Sequence, residues 1–427
     1  MIEGIILLAA LLLLILVGVP VSYAFAATAI CYLLLILELP LVTAAQRAGT
    51  GADSFALTAI PLFLLAGSLM NAGGITQRLI AFGNLMVGWL PGGLAAVNIA
   101  VSIFFAGISG SAVADASAVG KAMIPGMVQQ GYPRPFAAGV TAGSSIVGPI
   151  IPPSIPIIVY GLASGVPIGA LFLAGVFPGL LFGIGILVMT VIISVRRSFP
   201  RIPLSHLTRK QIFTSTRDAS AALIMPLIIV LGIVSGIFTA TESAAIAAFY
   251  AFLLAVVVYK ALTWRQVGRV ILETAVASAA ILFIIALASV FGWVLIRSGF
   301  PQVLAGSLAE ANLSAALVLL FINIALLIFG MFMESNAAIL IFTPLMLPIA
   351  TTMGIDPVHL GIIIVFNLMI GLLTPPVGMC LFVTAAIAKL PVLTVARASM
   401  PYVVAALATL VVITYWPPLT TWLPSRF

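Results

Sequence analysis

Long apolar runs, separated by short polar or Gly/Pro-rich interruptions, set the pattern of this chain. Ile5 to Val17, Tyr23 to Leu37, Leu171 to Val195, Ala244 to Val258 and Ala315 to Gly330 carry no charged residue. With their flanks they approach the roughly 20 residues that cross a bilayer as helix. Read in order, the pattern predicts two opening helices (2–18 and 20–38), a spanning helix (54–71) and an amphipathic connector (Ile75 to Trp89). Two shorter apolar stretches then flank a polar tip, 93–128 around Ser109-Gly110-Ser111, as in a re-entrant hairpin. A helix broken at a Gly/Pro cluster (137–165) and a final helix (169–195) follow. The second part repeats this order: helices over 221–238, 242–259 and 270–297, a connector from Phe300 to Asn312, and a hairpin over 314–351 around Glu334-Ser335-Asn336. It closes with a broken helix over 358–388 and a last helix over 399–423.

The likeness extends to individual residues. Displacing the chain by 223 positions aligns Gly107 with Gly330, Ala114 with Ala337, Met123 with Met346, Pro125 with Pro348 and Gly131 with Gly354. Gly148 then meets Gly371, and Pro152-Pro153 meet Pro375-Pro376, without a gap. Six of these eight identities are Gly or Pro, residues that fix backbone shape. What the two parts share is where their helices break. The prediction is an all-α polytopic membrane protein: a first repeat over 1–195, a basic cytoplasmic connector over 196–218 and a second repeat over 219–427. Five full spans and one returning hairpin per repeat make an odd number of crossings, so the second repeat is expected upside down, as in inverted-repeat carriers.

Charge tests this topology. Arg196 to Asp218 carries Arg196, Arg197, Arg201, Arg209, Lys210 and Arg217 against one acid, and belongs inside by the positive-inside rule. Placing it there also puts Arg78, Arg134, Lys260, Arg265, Arg269, Lys389 and Arg397 inside, leaving Arg47, Arg297 and Arg426 outside. The expectation is about ten spans, two hairpins and both termini outside. Composition excludes a water-soluble domain, since 63% of the 427 residues are hydrophobic and 6% charged, against roughly 45–50% and 25% in soluble proteins. The net charge of +7 does not indicate nucleic acid, because its bearers sit in short connectors. Cys31 and Cys380 lie in apolar sequence and are expected to be buried, with no disulfide or metal framework. Met1-Ile2-Glu3-Gly4 lacks a basic n-region and a small-residue cleavage site, so the first apolar run is expected to stay as a helix.

Candidate chemistry lies where the helices break. Bare backbone at membrane depth is tolerated only inside protein or beside a wet cavity. Four such places are predicted: the tips at 109–114 and 333–336, and the interruptions at 148–153 and 371–376. Proline cannot donate, so carbonyls around each Pro-Pro are left to face a cavity. Together with Ser109 and Ser111 in one part, and Asn336 and Thr374 in the other, they suit two cation sites, while helix N-termini suit a carboxylate. The plainer reading is that Gly and Pro merely kink these helices; pairing of all four breaks between the repeats favours a site. Asp115 either binds a cation or proton or caps the second hairpin arm. Lys121 either snorkels or pairs with an acid. Glu334 is placed to ligate or gate, and Thr239 to Glu242 reads as a capping box. His206 and His359 lie in or near connectors and are expected at the surface. No catalytic cluster falls within a span, which argues against an intramembrane enzyme.

The string from Gly107 to Asp115, GISGSAVAD, followed by GPIIPPSIPIIVYG (148–161), resembles the large membrane subunit of the tripartite ATP-independent periplasmic (TRAP) transporters. GADSFALTAIPLFLLAG (51–67), FTATESAAIAA (238–248) and GLLTPPVG (371–378) resemble that family too. The resemblance implies a multi-pass bacterial inner-membrane permease with an elevator mechanism, taking up an organic acid with sodium as the coupling ion and no other cofactor. It further implies a small four-helix membrane partner and a periplasmic solute-binding protein. Sodium positions carried over by the resemblance are Ser109, Gly148, Ile151 and Pro153, with Asp115 as a further candidate, and Met333, Asn336, Gly371, Thr374 and Pro376. Ser109, Gly110, Ser111, Glu334 and Ser335 would face the substrate. The chain departs from the family's pattern at the second tip, where Glu334 and Asn336 stand in place of an Asp and a Thr. A stand-alone anion symporter of the same broad superfamily is the nearest alternative, and a channel fits two occluding hairpins poorly.

Overall fold

A computed structural model describes residues 2–201, 209–311 and 313–426, with no β-strand among them. The first part runs α1 (Ile2–Leu16), α2 (Val21–Leu35), α3 (Val42–Ala52), α4 (Ala59–Ala72) and α5 (Ile75–Val87). The hairpin α6 (Gly93–Ser109) and α7 (Ala112–Gln129) follows, then the broken pair α8 (Arg134–Ser145) and α9 (Ile155–Ser164), then α10 (Ile168–Arg196). The second part runs α11 (Arg209–Val234), α12 (Ala240–Phe252) with a π-helical end over Leu253–Val258, α13 (Trp264–Arg297) and α14 (Phe300–Glu310). Its hairpin is α15 (Ala315–Gly330) and α16 (Ser335–Thr352), its broken pair α17 (Pro357–Gly371) and α18 (Met379–Ala388), and α19 (Val392–Tyr415) and the short α20 (Pro418–Thr421) follow.

Seven helices among the described residues are long and apolar enough to cross a bilayer. The shorter ones include those that stop at breaks. At 1.5 Å per residue, the 10-residue α9 and α18 rise only about 15 Å, roughly half of a 30 Å hydrocarbon layer. The local signals are legible at several starts: Thr239 and Glu242 form the expected capping box on α12, Ser314 caps α15, and Asp356 accepts the amide of Val358 at 2.7 Å.

The 223-residue displacement carries α7 onto α16 at both ends and brings the start of α8 onto that of α17. Packing is reciprocal across the two parts. α4 lies against α12 as α13 lies against α2, and α7 lies against α18 as α16 lies against α9. Swapped partners of this kind are what a two-fold relation between halves produces.

Several expectations need correction. The stretch between the second and third expected helices holds α3, which packs on α13; under the same displacement, α3 and α4 together cover the single 34-residue α13. At 11 residues α3 is too short to cross the hydrocarbon layer on its own. Residues 209–218, taken as connector on their charge, open α11; Arg, Lys and Gln form helix readily. Cys31 is exposed, whereas Cys380 is buried. His359 is buried, its ring nitrogens 2.7 Å from Thr420 Oγ1 and 3.3 Å from the Thr414 carbonyl, because α20 and the end of α19 fold over the start of α17. His206 lies outside the described residues.

Several basic side chains lie against aromatic rings. The Arg78 guanidinium stacks 3.7 Å from the Tyr259 ring, and the Tyr259 hydroxyl donates to the Asp218 carbonyl at 2.8 Å. The Tyr132 hydroxyl reaches the Pro200 carbonyl at 3.1 Å. Elsewhere, Arg47 lies over Trp293, near the Arg297 end of α13.

Candidate functional site

The first tip turns at Gly110, whose φ of 60° lies in the left-handed region that glycine enters freely. A side chain there would also run into the Pro153 carbonyl and the Ile155 amide, so tip and break touch directly. Ser111 then caps α7 by accepting from Ala114, which removes the capping role considered for Asp115. Asp115 instead accepts from the Ser109 hydroxyl and is wholly buried, while its second oxygen, Oδ2, has no partner. That oxygen faces Gly148, where any Cβ would collide with it. Ser109, Asp115 and Gly148 thus come together, with Pro153 one contact away through Gly110. Ile151 points its side chain at Gly179 on α10. Lys121 is exposed and distant from this group.

At the second tip Glu334, not Ser335, is the cap of α16. Its Oε2 accepts from the Ala337 amide at 3.0 Å and its Oε1 from Asn336 Nδ2 at 2.8 Å. A carboxylate only accepts, so the Asn336 amide must turn its nitrogen toward Glu334. Its Oδ1 is left buried and without a partner. The break lies alongside: the Val377 amide donates to the Met331 carbonyl at 3.3 Å, and Gly371 packs against the backbone of Gly330 so closely that no Cβ fits. Thr374 donates to the Ile370 carbonyl at 2.8 Å, which leaves its oxygen free to accept or ligate. Met333 is buried toward the apolar space between α1, α14 and the hairpin. Both double prolines are joined by cis bonds. Among the described residues, no backbone amide donates to the carbonyls of Ile151, Pro152, Pro153, Pro375 or Pro376.

Between the tips lies a cavity of about 240 Å³. Gly110, Ser111, Glu334, Ser335 and Asn336 line it, with Pro149 and Leu372 from the two breaks. The lining is completed by apolar residues, among them Leu64 from α4 and Ala280, Ile281 and Ile284 from α13, an apolar wall supplied by helices outside the hairpins and breaks. Sequence reasoning missed this wall, since four apolar residues in two apolar helices carry no signal. Ser109 does not line the cavity; it lies behind the tip with Asp115. The starts of four helices open onto the cavity, through Ala112 of α7, Ile155 of α9, Ser335 of α16 and Met379 of α18. No Lys, Arg or His lines it, and no cluster of metal-binding side chains occurs among the described residues. Helix N-termini carry free amides and a positive dipole end, so their convergence suits an anion. Buried acceptors without donors, Asp115 Oδ2 and Asn336 Oδ1, suit cations.

Comparison with known proteins bears on the same features. A family model described as "Tripartite ATP-independent periplasmic transporter, DctM component" matches residues 8–419. The sialic acid TRAP transporter large permease protein SiaM of Vibrio cholerae is 40% identical over 398 residues, 93% of each chain. The C4-dicarboxylate TRAP transporter large permease protein DctM of Pseudomonas aeruginosa is 42% identical over 373 residues, 87% of each. Among solved structures, the YdaH transporter of Alcanivorax borkumensis superposes with a TM-score of 0.66 over 99% of both chains at 14% identity, a likeness of fold.

Proposed function

The chain belongs to the DctM component family of tripartite ATP-independent periplasmic transporters, and from that premise we propose that it carries an organic acid inward across the bacterial inner membrane on a sodium gradient. It is a membrane-embedded permease. The observation that carries the acid reading is the cavity where four helix N-termini converge without a cationic side chain. Each terminus acts as roughly half a positive charge, so that even against the Glu334 carboxylate in the lining the balance favours an anion that no arginine or lysine contacts. The named cargoes of two relatives, sialic acid and C4-dicarboxylate, are acids as well.

Sodium coupling is supported by the buried acceptors without partners that lie at the two tips, Asp115 Oδ2 and Asn336 Oδ1. On this reading Asp115 Oδ2, beside Ser109 and Gly148, would take one sodium with carbonyls of the first Pro-Pro break, and Asn336 Oδ1 the other with Thr374 and carbonyls of the second. A buried acceptor or carboxylate without a donor is costly, and a cation bound beside it removes that cost. Elevator movement is supported by the cavity's two unlike linings, the polar tips and the smooth apolar faces of α4 and α13. The smooth wall offers no hydrogen bonds to break as the tips slide. The repeats are taken as inverted, with the basic cluster of Arg78, Lys260 and Arg217 in the cytoplasm. A separate small membrane subunit and a periplasmic solute-binding protein complete the tripartite carrier.

The test is uptake of a radiolabelled acid into proteoliposomes holding this chain and the small subunit, with the binding protein added outside. Uptake is expected only with inward sodium and the binding protein together. Equal uptake when potassium replaces sodium ends the coupling reading. Uptake by this chain alone ends the tripartite one in favour of a stand-alone symporter.

A further inference from the structure

We propose that the cavity selects an acid with a single carboxylate and hydrogen-bond donors at its far end, a hydroxylated or amide-bearing monocarboxylate, over a dicarboxylate of the same length. The inference rests on the carboxylate reading above and names the class within it.

Its basis is that the two tips are chemically unlike. From the first tip and its break the lining residues are Gly110, Ser111, Ala112, Val113, Pro149, Ile155 and Pro156, none of them charged. This end offers the N-termini of α7 and α9 and the Ser111 hydroxyl. The Ser111 oxygen already takes the Ala114 amide at 3.5 Å, so its proton is left to donate. It is an end that gives hydrogen bonds and attracts negative charge.

The second tip differs in carrying a charge. Under the 223-residue displacement Glu334 stands where Ser111 stands in the first part, and Glu334 is the one charged side chain lining the cavity among the described residues. Its carboxylate is pinned by two bonds, from Ala337 at 3.0 Å and Asn336 at 2.8 Å. This end therefore sets a negative carboxylate, with lone pairs left to accept, beside the Ser335 hydroxyl and the starts of α16 and α18. A ligand whose carboxylate sits at the first tip and whose hydroxyl or amide N–H reaches the second satisfies both. A dicarboxylate would set its second charge against Glu334 and find no lysine, arginine or histidine in the lining to offset it.

Gluconate and glucarate separate these cases, since they differ only in a terminal hydroxymethyl against a carboxylate. The chain is purified with its small subunit, saturated with sodium, and titrated with each acid while thermal unfolding is followed. Gluconate is expected to half-saturate at a concentration lower by roughly tenfold or more, as a like-charge contact costs at least that. Glu334→Gln removes the charge, so the gap should close by tighter glucarate binding. Glu334→Asp, which keeps the charge, should preserve it. Wild-type protein that binds glucarate as well as gluconate overturns the inference and leaves the carboxylate reading standing, an outcome that needs no variant to fold. A gap unchanged in Glu334→Gln overturns the role of Glu334. Stabilisation by neither acid, even at millimolar concentration, overturns the carboxylate reading itself and this inference with it.

Discussion

Asp115 and Glu242 are both acids in the first turn of a helix, and their surroundings give them different work. Glu242 is exposed and closes a capping box with Thr239, accepting the Thr239 amide at 2.7 Å. Such a cap contributes about 1 kcal/mol, so Thr239→Ala should lower the unfolding midpoint slightly while sodium-driven uptake per folded molecule stays unchanged. A large loss of uptake in stable protein would give Thr239 and Glu242 a part in transport. Asp115 is not the cap of its helix, since Ser111 fills that place; Ser109 holds one of its oxygens, and the other faces Gly148 without a partner. Asp115→Asn keeps the shape and removes the charge, so the sodium concentration for half-maximal uptake should rise by roughly tenfold, one charge contact's worth in a buried site. An unchanged sodium response in this variant would remove Asp115 from the cation site.

Between elements, the close approaches depend on glycine. α15 and α17 meet at Gly330 and Gly371, and a Cβ on Gly371 would lie inside the Gly330 backbone, which cannot rotate away as a side chain can. Gly371→Ala should therefore destabilise the protein by about 1–3 kcal/mol and abolish uptake, because the second tip is displaced from its break. Gly268, within α13 and with nothing near its Cβ position, is the control: Gly268→Ala should leave uptake intact and raise stability by about 0.4–1 kcal/mol. Equal tolerance at both positions, read by thermal unfolding and uptake, would mean that the hairpin and broken helix need not stay packed. These elements are also where the sequence speaks most clearly. Gly148, Pro152-Pro153 and their partners in the second part announce broken helices because glycine and proline act on their own backbone, whatever surrounds them. The settings of His359, Cys31 and the α4/α13 wall are not legible in the sequence because helices remote in sequence decide them: α20 covers His359, and among the described residues Cys31 is left exposed. The orientation of Asn336 belongs to the same class. Its neighbour Glu334 was visible, but which atom would be left without a partner depended on the geometry of the tip.

At the scale of the whole molecule, the question is whether corresponding places in the two parts lie on opposite faces of the membrane. Arg47 on α3 and Arg269 on α13 stand within one residue of correspondence under the 223-residue displacement, and both are exposed. Arg47 lies over Trp293 near the end of α13, whereas Arg269 lies in that helix's opening turns. α13 has 34 residues, about 51 Å of helix at 1.5 Å per residue, which exceeds the hydrocarbon layer and carries its two ends to opposite sides. The basic groups around Tyr259, which precedes that opening, agree in sign with a cytoplasmic face. In protein with Cys31 and Cys380 replaced by serine, Arg269→Cys should react with a membrane-impermeant maleimide only in inside-out vesicles, and Arg47→Cys only in right-side-out ones. Labelling of both from one side would mean that the two parts face the same way. The paired breaks would then no longer meet across a two-fold axis in the membrane plane, and alternating access by exchange of equivalent conformations between the halves would lose its structural basis.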